Sequence, residues 1–104
     1  MNPQRIAQLR VLQASDPTDP FLPYAVAQEY VSGEDWEQAE AEFSALIERF
    51  PDYLPAYYHH GLVLVRLDRV EEAIQVLEAG FGLAKSTKDF KTASEIEALL
   101  EDLE

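Results

Sequence analysis

The chain has 104 residues, 47% of them apolar, enough for one core but not for a core plus an elaborate active site. Its net charge of −12, from 20 Asp and Glu against 8 Lys and Arg, repels phosphate backbones and anionic lipid, so nucleic-acid and membrane-surface binding are disfavoured. There is no cysteine, hence no disulfide framework or thiolate chemistry, and no signal-peptide core or long apolar run, so a cytoplasmic protein is expected.

At the N-terminus, Asn2 is a good helix cap and Pro3 suits the first helical position. Ile6, Leu9 and Leu12 then mark a short amphipathic helix to Gln13, ending before Ser15-Asp16-Pro17. Pro17 and Pro20 make the next stretch a turn, since each removes a backbone donor. A second helix is expected from Leu22 to Val31, with Leu22, Val26 and Tyr30 on one face and Ala27 beside them. Ser32-Gly33-Glu34-Asp35 breaks it: Gly33 is expected to take the left-handed conformation and Asp35 to cap the next helix. That third helix carries Trp36, Ala39, Phe43, Leu46, Ile47 and Phe50, a single apolar stripe that Pro51 stops.

The same plan then recurs at a spacing of 34 residues, which pairs Tyr24 with Tyr58, Val31 with Val65, Ala39 with Ala73 and Phe43 with Leu77. A fourth helix is expected over Pro55–Leu67, with Tyr57, His60, Gly61 and Leu64 facing inward. Its turn, Asp68-Arg69, lacks a glycine and is expected to be tighter or strained. The fifth helix bears Val70, Ala73, Leu77, Gly80, Phe81 and Ala84. Lys85 stands where Pro51 stood, so this helix is expected to run on for another turn. A last helix, Phe90 to Leu103, shows Phe90, Ile96, Leu99, Leu100 and Leu103, and closes the stack as a cap. Leu9 and Pro17 lie 34 residues before Phe43 and Pro51, so the first helix reads as the second half of a repeat. Arg5 departs from Ala39 and Ala73, as suits an end helix with one open side.

This pattern resembles the tetratricopeptide repeat, through Val26, Ala27, Tyr30, Ala39, Phe43 and Pro51 in one copy and Tyr57, Gly61, Leu64, Ala73, Leu77 and Gly80 in the other. Pro23, Leu46, His60 and Lys85 depart from it. The resemblance implies an all-α solenoid of antiparallel helix pairs with a right-handed superhelical twist. Its parts are a leading helix (1–17), two repeats (20–53 and 54–87) and a capping helix (88–104), forming one domain over 1–104. The start at Met1 with a helix cap leads to the expectation of a complete small bacterial-type repeat protein, the alternative being an excised fragment.

The resemblance further implies a concave face that holds a peptide or helix of a partner protein. The face positions are Phe21, Tyr24, Gln28, Val31 and Ser32, then Tyr58, His59, Leu62, Val65 and Arg66, with Asp89, Thr92, Ala93 and Ile96 from the last helix. One subfamily grips chaperone C-termini with Lys and Asn, but here Tyr24, Gln28, His59, Asp89 and Ala93 stand at those places, so that clamp is missing.

His59 and His60 are the only histidines. Neighbours on a helix point about 100° apart, so they do not converge on a metal as an i, i+4 pair does. Burial of His60 is expected to make packing pH-sensitive. Acids around the helix starts, such as Glu37, Glu71 and Glu72, are explained by the helix dipole. Gly80-Phe81-Gly82 lies inside a helix and is no phosphate loop. The reading is therefore a non-enzymatic protein- or peptide-binding module with no cofactor, no metal and no nucleic-acid or membrane partner. The alternative is a homodimer formed through the apolar groove or through Leu99, Leu100 and Leu103. The acidity fits either solvated helix faces or adaptation to high salt.

Overall fold

The computed structural model describes residues 1–104 as six helices and no strand. These are α1 (Pro3–Ser15), α2 (Phe21–Ser32), α3 (Trp36–Arg49), α4 (Leu54–Arg66), α5 (Val70–Ser86) and α6 (Phe90–Leu103). No helix is long and apolar enough to cross a membrane. The chain divides into two compact units, Met1–Tyr53 and Leu54–Glu104. In the first, α2 packs between α1 and α3; in the second, α5 packs between α4 and α6.

In the first unit, the Asn2 side chain accepts from the backbone N–H of Gln4 (3.0 Å) and Arg5 (3.2 Å), so two otherwise orphaned donors start α1. The helix reaches Ser15, beyond Gln13, because Asp16 still donates to the Leu12 carbonyl at 2.8 Å before Pro17 ends the ladder. Leu9 and Ile6 pack on Leu22, Ala25, Val26 and Tyr30. Leu12 does not join them and is 53% exposed. Helix α1 packs mainly on α2, so it has one buried side, and Leu12 falls at its edge. The charged rim holds α1 as well: Arg5 Nε lies 2.9 Å from Glu29 Oε1 on α2, and Arg10 pairs with Glu42 on α3. Exposed pairs of this kind contribute about 0–1 kcal/mol each. Burial of Leu22, Val26 and Ala27 on α2 and of Ala39, Phe43 and Leu46 on α3 stabilises the unit far more than these pairs do.

The turn after α2 places the left-handed residue differently from expectation. Gly33 has φ −93°, and Glu34 is the left-handed residue, at φ 56°. Glu34 donates to the Val31 carbonyl (2.9 Å) and Asp35 to that of Tyr30 (2.9 Å), which ends α2 and sets Asp35 to cap α3 by accepting from Gln38 N–H at 3.3 Å. Gly33 is needed for space instead: a β-carbon there would collide with the Met1 side chain.

The second unit reuses the turn. Asp68 has φ 58° and Lys88 φ 62°, with Asp68 donating to Val65 (3.0 Å) and Arg69 to Leu64 (2.9 Å). The glycine-free turn is thus no tighter than its counterpart. Arg69 offers no side-chain cap to α5; its guanidinium instead binds Glu72 in the first turn, Nε to Oε1 at 3.2 Å. Helix α5 does run past Lys85, whose Nζ sits 4.6 Å above the Phe81 ring. Gly61 and Gly80 are the points of closest approach. A β-carbon on Gly61 would lie 2.5 Å from Leu77 Cδ2, and one on Gly80 2.7 Å from Tyr57 Cβ and 3.3 Å from Ile96 Cδ1. Ala93 and Ile96 seal α6 onto this core, while Leu99, Leu100 and Leu103 are half-buried. Phe90, at the first turn, stands outside it at 63% exposure.

Candidate functional site

The open side of α2 is built on one tyrosine. Tyr24 is half-buried, its ring 6.2 Å from Phe43 and 5.4 Å from Tyr53, both edge-on, and 6.3 Å from Phe21. Its hydroxyl accepts from Gln28 Nε2 at 3.0 Å, one turn along the helix. The ring is therefore fixed from below by the core and its polar end is held by a neighbour. Phe21, at the start of α2, is 52% exposed. Its backbone N–H donates to Asp19 Oδ1 at 2.9 Å, which settles where the helix begins. Val31 is half-buried at the far end, and the Ser32 hydroxyl donates to the Glu29 carbonyl at 2.7 Å.

Tyr53 completes this cluster and was missed by sequence reasoning, because it lies in a connection outside the helical periodicity. Burial raises its phenol above the ordinary tyrosine value, with Tyr24 and Asp19 adding to the effect. A separate depression of about 290 Å³ in this unit is lined by Arg10, Pro17, Glu42, Arg49 and Phe50. Its arginines are engaged: Arg10 on Glu42 and Gln13 (3.1 Å), Arg49 over the Phe50 ring at 5.2 Å.

In the second unit, α4 presents Tyr58, His59, Leu62 and Val65 half-buried and Arg66 exposed. The Tyr58 and His59 rings meet edge to face, 5.4 Å apart at 84°. They line a depression of about 180 Å³ together with Leu54, Pro55, Asp89, Thr92 and Glu95. Asp89 and Thr92 thus lie beside the α4 residues. Ala93 and Ile96, the other two positions assigned to this face on α6, do not line it: both are buried, and Ile96 lies against Gly80 of α5. Glu95 takes part instead, three residues after Thr92 and so on the same helix face.

The electrostatics of the depression follow from these contacts. The Asp89 carboxylate accepts from Thr92 N–H (3.1 Å) and Thr92 Oγ1 (2.8 Å), bonds that favour the charged form and hold its pKa below the ordinary value. Burial lowers the His59 pKa, and the nearby Glu95 carboxylate opposes that shift. His60, the next residue, is buried in the core, so the two imidazoles serve different surroundings. No three His, Cys, Asp or Glu side chains are grouped in a way that could hold a metal ion. The two faces combine rigid aromatic and aliphatic surface with a few polar ends. Such surfaces suit recognition of another chain, with aromatic rings supplying area and their polar ends direction.

No protein-family model matches the chain, and no curated protein matches it. Solved structures do. The chain is similar to a tetratricopeptide repeat domain protein from Salinibacter ruber, whose solution structure superposes with a TM-score of 0.80 at 38% identity, covering 86% of this chain and 90% of that one. A crystal structure of a tetratricopeptide repeat domain protein from the same organism gives 0.78 at 36% identity, over 82% and 96% of the two chains. A protein from Bordetella parapertussis shares the fold at 22% identity, with a TM-score of 0.81 and coverage of 94% and 85%.

Proposed function

Since the chain belongs to the tetratricopeptide repeat family of helical protein-interaction modules, we propose that it is a non-catalytic module that binds a peptide or helix of a partner protein. The binding residues are Phe21, Tyr24, Gln28 and Val31 on α2, and Tyr58, His59, Leu62, Val65 and Arg66 on α4. The observation that carries this reading is the ordering of Tyr24. A ring wedged against Phe43 and Tyr53, with its hydroxyl engaged by Gln28, has little rotamer freedom left to lose when a partner covers it. Phe21 beside it offers open apolar surface, and in the second unit the Tyr58–His59 pair on α4 offers aromatic surface of its own. Hot spots are enriched in such aromatic anchors.

The test is capture of the partner from the native cell by the immobilised chain, compared with the double variant Phe21→Ala/Tyr58→Ala. Tyr24 is a poorer choice for truncation, because its ring also rests on the core residue Phe43. The double variant is expected to stay helical and to lose the partner. Undiminished capture by a folded double variant would place the site elsewhere.

A further inference from the structure

Helices α1 and α4 are the two that carry no Asp or Glu, in a chain whose net charge is −12. The open face of α4 belongs to the proposed partner surface. The outer face of α1 has no role yet. Its inner side docks through Ile6 and Leu9, and its two arginines turn to Glu29 and Glu42. What remains outward is Gln4, Ala7, Gln8, Val11, Ala14 and Ser15, all exposed and all uncharged. At about 100° per residue these fall on one side of the helix. Val11, near the centre of that side, is 68% exposed, the most open of the large apolar residues. The exposed side of α6 is of the opposite character: Lys91, Glu95, Glu101 and Asp102 surround Ala98 there. Charged side chains of this kind keep a helix face in water, and the outer face of α1 has none.

The geometry points to the outer face of α1 as a contact between two copies of this chain, α1 against α1 in a two-fold dimer. A two-fold contact sets a face against itself, so a face that carries one sign of charge meets that same sign. On a chain this acidic, a neutral face is where two copies can touch without opposing carboxylates. The side chains fit the same requirement. Ala7 and Ala14 lie one turn either side of Val11 and are small enough for two helix axes to approach within about 8–10 Å. Gln4 and Gln8 each carry a donor and an acceptor, so identical amides can pair across the axis. Helix α1 is only about 20 Å long. The contact therefore falls at the small end of specific interfaces, below about 1,200 Å² in total, which makes the dimer concentration-dependent. Salt strengthens it, by screening the repulsion between two acidic bodies.

Sedimentation velocity on the full chain, from about 5 to about 500 µM and in about 0.05 M and about 0.5 M NaCl, tests this. A dimer fraction that rises with concentration and with salt is expected. Val11→Glu, checked for retained helicity by circular dichroism, should weaken association at least about tenfold by burying a carboxylate. Ala98→Glu on α6 should leave it unchanged. Because the chain has no cysteine, Val11→Cys is expected to yield a covalent dimer on mild oxidation while Ala98→Cys stays monomeric. A wild-type chain that is monomeric throughout, a folded Val11→Glu that associates as well as wild type, or equal cross-linking at both positions would each overturn the proposal. The Val11→Glu and Val11→Cys readouts report on α1 and not on the α2 and α4 faces, so the two assignments stand or fall separately.

Discussion

Glu34 and Asp68, 34 residues apart, adopt the same left-handed backbone, φ 56° and 58°, at the same point of two helix–helix turns. In each turn the left-handed residue donates to the carbonyl three back and its successor to the carbonyl five back. Neither residue is glycine, so each holds a conformation that crowds its β-carbon. That crowding costs roughly 1–2 kcal/mol, of which the greater unfolded-chain freedom of glycine takes back roughly 0.5–1. Glu34→Gly and Asp68→Gly are each expected to stabilise the fold by about 0.5–1 kcal/mol, read as a raised midpoint in denaturant. A lowered midpoint for both would show that the strain is not released by removing the side chain.

Glycines inside α4 and α5 should respond in opposite senses to the same substitution. Gly61→Ala places a methyl 2.5 Å from Leu77 Cδ2 and 2.6 Å from its Cγ, and Leu77 is fully buried with no open side to yield towards. A loss of about 1–3 kcal/mol is expected. Nothing lies within 4 Å of a β-carbon on Gly82. Gly82→Ala should therefore gain about 0.5–1 kcal/mol from helix propensity alone. Thermal melts of the two variants check the sign. Equal shifts would mean that packing at Gly61 is looser than the Leu77 contact implies.

These cases show where the sequence was informative and where it stopped. Caps are local, so Asn2 and Asp35 could be named from a residue and its next three neighbours, whereas Asp89, which caps α6, was read only as a face position. The 34-residue period made the buried faces of α2 to α5 legible because each apolar position was written twice. The left-handed residue was missed because glycine's preference was read as the turn's requirement, while Gly33 answers to the Met1 contact. Leu12 and Phe90 belong to the apolar stripes of α1 and α6 and yet stay exposed, because an amphipathic stripe tells which side of a helix is buried but not how far the neighbour reaches. Tyr53 and Glu95 entered the candidate faces through space, across distances that no local pattern encodes.

Asp89 makes the start of α6 acid-sensitive. Its carboxylate accepts two bonds from Thr92, and its pKa in the folded chain lies below the ordinary value. For a depressed carboxylate, the stabilisation is fully present above the unfolded value and is lost as pH falls through the folded one. Asp89→Asn keeps a cap acceptor but cannot titrate. Wild type is expected to lose stability relative to Asp89→Asn only once the pH drops below about 4. Parallel acid-induced unfolding curves for the two chains would remove the carboxylate from this role.

His59 should titrate below the ordinary histidine value of about 6.5. Burial favours its neutral form, and of the two carboxylates lining the same depression, Glu95 opposes that shift while Asp89 is committed to Thr92. Between the folded and unfolded values the unfolded chain binds more protons, so stability rises with pH there. The contribution is complete above about 6.5 and is lost as pH falls through the folded value. The imidazole resonance of His59, assigned by comparison with His59→Gln, is expected to show a midpoint under 6.5 that moves lower still in Glu95→Gln, because the opposing negative charge is gone. A midpoint at or above the free-histidine value, or an upward move in Glu95→Gln, would show that solvent rather than burial governs this side of α4. A partner seated on Tyr58 and His59 would desolvate the ring further, so its binding should weaken on acidification over the same range.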